Sequence, residues 1–396
     1  MRRAREFAAR LSNGASHESP LGAECTHRDF SSGIIRSLST ATSPFGEFEA
    51  QKVDKDRIFT VEASHARAGP GEESWGPLME QLAVPDSEPE PRAARRSGGP
   101  RTVSVDRYQL LRLGLLALRM GPLLILLILV AVVAATTPVF RTTANLGNVL
   151  SQTSVISILA LGQLLVIVTR GIDLSVGSTI ALSSVVGALL FRDGHSSGVV
   201  IVAILATGIA VGFVNGAVYV WGRVPHPFIV TLATLSAVRG IALWASDGTL
   251  IFGMPGAVQK VGGDRIGWFP ISYLLVIGLA LLVLMLTTKL VWGRWLYAVG
   301  GNPDAARRAG IPVARVLITV YVLSGLAAGF GGLLVAGLTN AGSPNYGELA
   351  ELDAIAAVII GGAAFAGGRG HVGNALIGAM TIGVIRNALN LHNVDA

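Results

Sequence analysis

The feature that most constrains this chain is a succession of long apolar segments that begins at Gly121 and continues towards the C-terminus. A helix of about 20 apolar residues is long enough to cross the hydrocarbon core of a bilayer. Because lipid offers the backbone no hydrogen-bond partner, a crossing segment must be helical, or broken only where protein or water shields it. The segments that we predict to cross cover residues 121–140, 153–169, 176–191, 199–221, 227–245, 271–292, 316–338, 352–366 and 372–391. The sequence therefore predicts an all-α membrane protein, a polytopic bundle of about nine transmembrane helices.

The composition supports this fold class. Hydrophobic residues make up 51% of the 396 residues and charged residues only 14%, whereas a soluble domain carries about a quarter charged residues. The net charge is +6. The arginines lie singly between apolar runs, as they do on the cytoplasmic flanks of membrane helices, so we expect the lipid bilayer as a partner and no nucleic acid.

Residues 1–105 differ from the rest of the chain. They are rich in Arg, Glu, Ser, Gly and Pro and have no sustained apolar period, which predicts a polar, disordered N-terminal leader. A start site assigned too far upstream is the alternative. The transmembrane domain is predicted to cover residues 106–396. The single cysteine, Cys25, lies in the leader, which excludes a disulfide framework, a zinc cluster and a cysteine-based active site for the transmembrane domain.

The positions of the arginines predict the orientation of the bundle. One group precedes the first span and another follows the sixth, so an even number of crossings separates them and both are expected on the cytoplasmic side. The groups are Arg107, Arg112 and Arg119, and Arg294, Arg307, Arg308 and Arg315. With this parity, residues 246–270 and 339–351 face outward, while Arg369 and His371 face inward.

A polar break interrupts the apolar stretch at residues 171–178 and carries Asp173, Ser175 and Ser178. A carboxylate at this place is costly unless it is solvated or has a partner. Two interpretations stay open: a polar break beside the translocation path or a contact with a partner protein, and an ordinary cytoplasmic turn that caps the third helix.

Glycines at intervals of four lie on the fourth and seventh predicted spans. They are Gly208, Gly212 and Gly216 on the fourth span, and Gly325 and Gly329 on the seventh. Such rows remove side chains from one helical face and let another backbone approach, so we predict that they pack helices. Asn215 lies beside the first row and could bond across helices or line a solute path.

Two arginines, Arg239 and Arg386, lie within or close to predicted spans. A guanidinium there must extend to the membrane surface or meet an acceptor. The topology places both near outer helix ends, which favours extension to the surface. Glu351 or Asp353 could supply a partner.

The longest predicted inward loop covers residues 293–315 and contains the signals of a short helix. Asn302 can cap its N-terminus with Pro303 at the first helical position, while Gly310 ends it and Pro312 blocks continuation. With small residues on one side, this stub is shaped to dock into a groove of a partner; a surface hairpin without a partner is the alternative. The predicted docking residues are Gly301, Asn302, Asp304, Ala305, Ala306, Arg307, Gly310 and Ile311.

The sequence offers no sign of chemistry performed by the chain itself. Residues 367–370, Gly-Gly-Arg-Gly, lack the spacing and the Lys-Ser/Thr ending of a phosphate-binding loop, and that motif occurs nowhere in the 396 residues. No cluster of His, Asp or Glu indicates a metal site or a nucleophile. We therefore predict no catalytic residue, no metal and no cofactor in this chain.

Four motifs resemble one family: residues 171–178 (GIDLSVGS), 227–234 (PFIVTLAT) followed by Arg239-Gly240, 301–307 (GNPDAAR) followed by Gly310-Ile311, and 351–362 (ELDAIAAVIIGG) followed by 367–370. In this order and spacing they resemble the ribose/xylose-type permease subunit of bacterial ATP-binding-cassette importers, over residues 140–393. The superfamily also contains permeases for branched-chain amino acids.

This resemblance implies a multi-pass protein of the bacterial inner membrane that imports a monosaccharide. It implies a second permease copy, a separate cytoplasmic ATPase that binds the ATP, and an extracytoplasmic sugar-binding protein. Residues 300–311, within the predicted coupling loop 293–315, would then be the family's coupling helix. The resemblance also implies a tenth helix, which we expect to be missing at the C-terminus.

Two other functions stay open at this stage. One is a permease for branched-chain amino acids or another small polar solute. The other is a secondary transporter that acts alone, although such proteins commonly carry ionisable residues deep in several spans.

Overall fold

The structure is a computed structural model that describes residues 120–394. The predicted leader at residues 1–105 lies outside the described residues. The α-helices of the described part are α1 (Gly121–Thr136), α2 (Thr143–Val168), α3 (Val176–Arg192), α4 (Ser197–Trp221), α5 (Pro227–Ala245), α6 (Gly256–Gly263), α7 (Ile271–Thr288), α8 (Val291–Gly301), α9 (Pro303–Arg308), α10 (Val313–Thr339), α11 (Ala350–Ile360) and α12 (Val372–Leu391). The remaining elements are a 3-10 turn at Pro138–Arg141 and the strands β1 (Ile251–Phe252), β2 (Arg265–Ile266), β3 (Phe269–Pro270) and β4 (Ala341–Gly342).

The chain is a helical multi-pass membrane protein. Six helices in residues 120–394 are long and apolar enough to cross a membrane, namely α2, α4, α5, α7, α10 and α12. The apolar helices α1 and α3 are shorter, at 16 and 17 residues. Helix α11 has only 11 residues, which at 1.5 Å per residue covers roughly half of a bilayer core. The predicted number of nine transmembrane helices is therefore not confirmed.

Helix α2 begins ten residues before the predicted second span, because its polar first turns find partners inside the protein. The Thr142 hydroxyl caps the helix by accepting from the Asn145 backbone N–H at 3.3 Å. Asn145 then exchanges two side-chain amide hydrogen bonds with Asn387 of α12, both 3.0 Å long. Amides that pair with each other are stable between membrane helices. In the sequence alone, the polar residues that carry them resemble a loop.

Helices α4 and α10 cross at very short range along their glycines. A Cβ built on Gly208 would lie 2.2 Å from the carbonyl oxygen of Gly325, and one on Gly212 would lie 2.2 Å from that of Tyr321. Gly216 and Gly329 lie along the same contact between the two helices. The two predicted glycine rows thus face each other, and no larger residue fits at their closest point.

The loops predicted to share one side of the membrane do meet. Strands β1 and β4 pair antiparallel, with Ile251 opposite Gly342, and they belong to the two loops that were assigned to the outside. At the other end, the Gly368 backbone N–H donates to the Val168 carbonyl at 2.8 Å. This contact joins the loop that carries Arg369 to the end of α2 and agrees with the predicted parity.

The two arginines within the bundle have acceptors in the protein, and the predicted partner Asp353 is confirmed for Arg386. Arg386 forms an ion pair with the Asp353 carboxylate at 2.5 Å. The Arg239 guanidinium donates to the backbone carbonyls of Pro344 and of Tyr346, the latter at 2.9 Å. Each guanidinium thus contacts an acceptor of the protein, as charged groups in membrane helices commonly do.

Candidate functional site

The predicted stub is present as helix α9, and its predicted caps are confirmed. The Asn302 side-chain oxygen accepts from the backbone N–H groups of Asp304 and Ala305, both at 3.0 Å. Pro303 occupies the first helical position. Gly310 follows the helix with a φ of +80°, a conformation that strongly favours glycine.

One face of the stub is free and the other belongs to the core. Ala306 is 4% exposed and packs in the main hydrophobic cluster of the protein, so its side chain points away from any partner. The side chains of Asp304 and Arg307 are 74% and 68% exposed and pair at 3.2 Å. The other predicted docking residues are exposed Gly301, Asn302, Ala305 and Gly310, and half-buried Ile311.

A basic cleft of about 650 Å³ lies beside the stub. It is formed between the end of α4 and the start of α10, and three arginines line it: Arg223, Arg307 and Arg315. Tyr219 and Ile311 supply apolar walls. A surface of this charge favours a partner with acidic groups at the contact.

The end of α8, which directly precedes the stub, is tightly packed against the start of the polar break after α2. A Cβ on Gly300 would lie 1.8 Å from the Val168 carbonyl oxygen and 2.8 Å from the Gly368 nitrogen, so only glycine fits. Across the same contact, the Arg170 side chain donates two hydrogen bonds. Its Nε donates to the Gly300 carbonyl at 2.7 Å, and its Nη2 donates to the Gly301 carbonyl. These contacts join the end of α8 to the residues that begin the break.

Inside the bundle, the break places Asp173 in a dense hydrogen-bond cluster. Its carboxylate accepts from the Ser175 backbone N–H at 3.0 Å, the Ser175 hydroxyl at 2.7 Å and the Ser324 hydroxyl of α10 at 2.8 Å. Asp173 and Ser324 are fully buried and Ser175 is 1% exposed. This burial excludes an ordinary surface turn.

Two amides complete the cluster. The Asn215 side chain of α4 donates to the Ser175 hydroxyl at 2.8 Å. In the amide orientation that satisfies its hydrogen bonds, Gln163 of α2 donates to the Asp173 backbone carbonyl and accepts from its N–H, both at 3.2 Å. Hydrogen bonds therefore join the break to three helices, α2, α4 and α10.

The structure groups some of the predicted residues and separates others. Asp173, Ser175 and Asn215 come together, whereas the Ser178 hydroxyl bonds only to the Ser175 carbonyl within the first turn of α3, at 2.9 Å. The sequence analysis missed Gln163, which is the one amide in the apolar run 155–168. Isolated polar residues in apolar spans are the signal that could have found it.

Comparisons with known proteins agree on one family. The family model described as the permease component of branched-chain amino acid transport systems matches residues 145–394. The ribose import permease protein RbsC of Escherichia coli K12 is 39% identical over 284 residues, which cover 69% of this chain and 86% of that protein.

Two further relatives carry the names of other sugars. The galactose/methyl galactoside import permease protein MglC of Haemophilus influenzae is 36% identical over 68% of this chain and 86% of its own length. The D-allose transport system permease protein AlsC of Escherichia coli K12 is 36% identical over 69% of this chain and 85% of its own length. No solved structure matches the chain significantly.

Proposed function

We propose that this chain is the membrane-spanning permease subunit of an ATP-binding-cassette importer, and that its cargo is a monosaccharide. The premise is that the chain belongs to the family of transport-system permease components whose members include the ribose, galactose and allose import permeases. The observation that carries the proposal is the similarity to sugar permeases over 85% or more of their length. Branched-chain amino acids, which the family description names, are the alternative cargo.

The proposed assembly has three parts besides this chain: a second permease copy, an ATPase and a binding protein. Two copies of the permease sit in the inner membrane of a bacterium, a cytoplasmic ATPase binds ATP below them, and a sugar-binding protein docks outside. The chain itself needs no cofactor, metal or catalytic residue. The stub α9 and the basic cleft beside it support the ATPase contact, since they form an exposed, charged docking surface at the end of the bundle where the predicted cytoplasmic loops meet.

The coupling mechanism follows from the contacts of the stub. Closure of the ATPase pair pushes α9, and the Gly300 contact with Val168 passes the displacement to the break at 169–175. Asp173 and its partners then move α2, α4 and α10 together, because hydrogen bonds hold the break to all three. Rigid-body rocking of this kind alternates the access of a central path.

The test is solute uptake into proteoliposomes that contain the permease, its ATPase and its binding protein. We expect ATP-driven monosaccharide uptake that disappears when either partner is omitted. Uptake of leucine or valine in place of sugars would support the alternative cargo. Uptake driven by an ion gradient without the ATPase would refute an ABC importer and indicate a secondary transporter.

Paired substitutions on the stub test the coupling. Arg307→Glu and Ala305→Trp change exposed positions and should abolish both uptake and ATPase binding. Arg307→Lys and Ala305→Ser keep the charge and the small size, so they should retain uptake. Full uptake by the disruptive pair would show that the stub does not receive the ATPase.

A further inference from the structure

The segment 342–347, between α10 and α11, enters the bundle and packs along α3. Gly342 packs on Ser184 of α3, and Gly347 packs on Gly177 near the start of the same helix. Seven residues of helix separate Ser184 from Gly177, so the segment 342–347 descends by about 10 Å from the outer side. Helix α11 then starts in the interior and continues to the inner side.

This descent brings charged groups to the middle of the bundle. Arg239 of α5 holds the descending segment through the carbonyls of Pro344 and Tyr346. Glu351 is 8% exposed, and its Oε2 atom has no hydrogen-bond partner among the described residues.

Part of the same segment is open to its surroundings. Asn345 and Glu348 are exposed, and Leu349 beside them is 58% exposed. A carboxylate and an amide at this depth are expensive against lipid, so such residues almost always face a water-filled cavity or another protein group. Discontinuous segments that meet near the bilayer midplane commonly form the substrate site of a transporter.

We propose that Arg239, Asn345 and Glu348 form a mid-depth polar face that contacts the sugar during translocation. The inference rests on the proposed function and adds the residues that touch the cargo. Carboxylates, amides and guanidinium groups can together accept and donate the hydrogen bonds of neighbouring sugar hydroxyls. The Asn345 amide and the Glu348 carboxylate are both exposed and can offer such bonds to a sugar.

The first experiment measures water access. In a Cys25→Ser background, the only native cysteine of the chain is removed. Asn345→Cys should react with a charged, membrane-impermeant thiol reagent added from outside, and ribose with the binding protein and ATP should slow the reaction. Leu281→Cys on α7, at a position that is 61% exposed on an apolar helix, is the lipid-facing control and should not react.

Two outcomes would overturn the inference at this stage. Asn345→Cys could be as unreactive as Leu281→Cys, which would place the segment against lipid or buried protein. It could instead form a disulfide between two permease copies while staying closed to the reagent, which would make the face a subunit contact.

The second experiment separates the polar face from the importer function. For the complete importer, Glu348→Gln and Asn345→Ala should lower sugar uptake about three- to tenfold, the effect of losing one hydrogen bond. ATP hydrolysis stimulated by the binding protein should stay unchanged. Unchanged uptake in both variants would refute the polar face and leave the importer intact, whereas an unmodified complex without sugar uptake would refute the proposed function itself.

Discussion

The cluster around Asp173 predicts different outcomes for two substitutions of similar shape. Asp173→Leu removes the acceptor of three hydrogen bonds, one from the Ser175 backbone N–H and two from the hydroxyls of Ser175 and Ser324. Hydrogen bonds between membrane helices contribute about 0.6 kcal/mol on average, and an orphaned buried N–H costs about 1–3 kcal/mol. The expected loss is therefore about 2–4 kcal/mol.

Asp173→Asn keeps most of this bonding. Its Oδ1 can still accept from Ser175, and its Nδ2 can donate to the Ser324 hydroxyl, which rotates to accept. We expect Asn to cost less than about 1 kcal/mol, well below Leu. Since 1 kcal/mol corresponds to roughly 2–4 °C in a protein of this size, the melting temperatures of the two variants should differ by roughly 5 °C.

The assay is thermal unfolding of the purified protein in lipid nanodiscs, followed by uptake in proteoliposomes. Asp173→Leu should unfold earlier and transport poorly, and Asp173→Asn should resemble the unmodified protein in both respects. A Leu variant as stable as the unmodified protein would show that the cluster does not hold the break. An Asn variant as damaged as the Leu variant would show that the negative charge matters, which contradicts the hydrogen-bond explanation.

Three further substitutions test the packing. Gly300→Ala should force α8 away from Val168 and cost about 1–3 kcal/mol of stability, because the added methyl group has no space. Uptake should fall more than ATP hydrolysis, and assays that measure both rates on the same complex check this. Gly212→Leu should separate α4 from α10 and reduce the yield of folded protein in gel filtration, whereas Gly240→Leu, at an open position, should not. Arg386→Leu should cost about 2 kcal/mol in thermal unfolding because it leaves the Asp353 carboxylate unpaired, and adding Asp353→Leu should restore part of that loss.

The helix bounds were predictable where polarity changes sharply. The predicted bounds 227–245 and 372–391 agree with those of α5 and α12. Helix α5 has Pro227 at its first position, where the missing N–H has no cost. The capped stub was predictable for a different local reason. Asn302, Pro303 and Gly310 set the backbone geometry at its two ends without help from distant residues.

Elements that depend on distant partners were not predictable. The polar start of α2 becomes helical only because Asn145 meets Asn387, 242 residues away. The predicted span 352–366 is apolar enough to resemble a full crossing, but Gly361 and Gly362 end α11 after 11 residues. Hydropathy measures the preference for lipid, and it cannot distinguish a crossing helix from one that begins inside the bundle.

The Asp173 cluster was predictable only in part, for the same physical reason. The break and its carboxylate are visible in the sequence, and so is Asn215. The bonds that connect them to Gln163 and Ser324 depend on how the helices pack, because 151 residues separate Asp173 from Ser324. The glycine rows predicted that helices approach closely at these positions. The sequence did not show that the row on α4 packs against the row on α10.

The measurement that tests the central claim most directly is the sidedness of the stub. In a Cys25→Ser background, Arg308→Cys should react with an impermeant thiol reagent in inside-out vesicles and stay unreactive in intact cells. ATPase added to the vesicles should then protect it. Labelling of Arg308→Cys from the outside of intact cells would contradict the account, because no cytoplasmic ATPase could reach α9 from there.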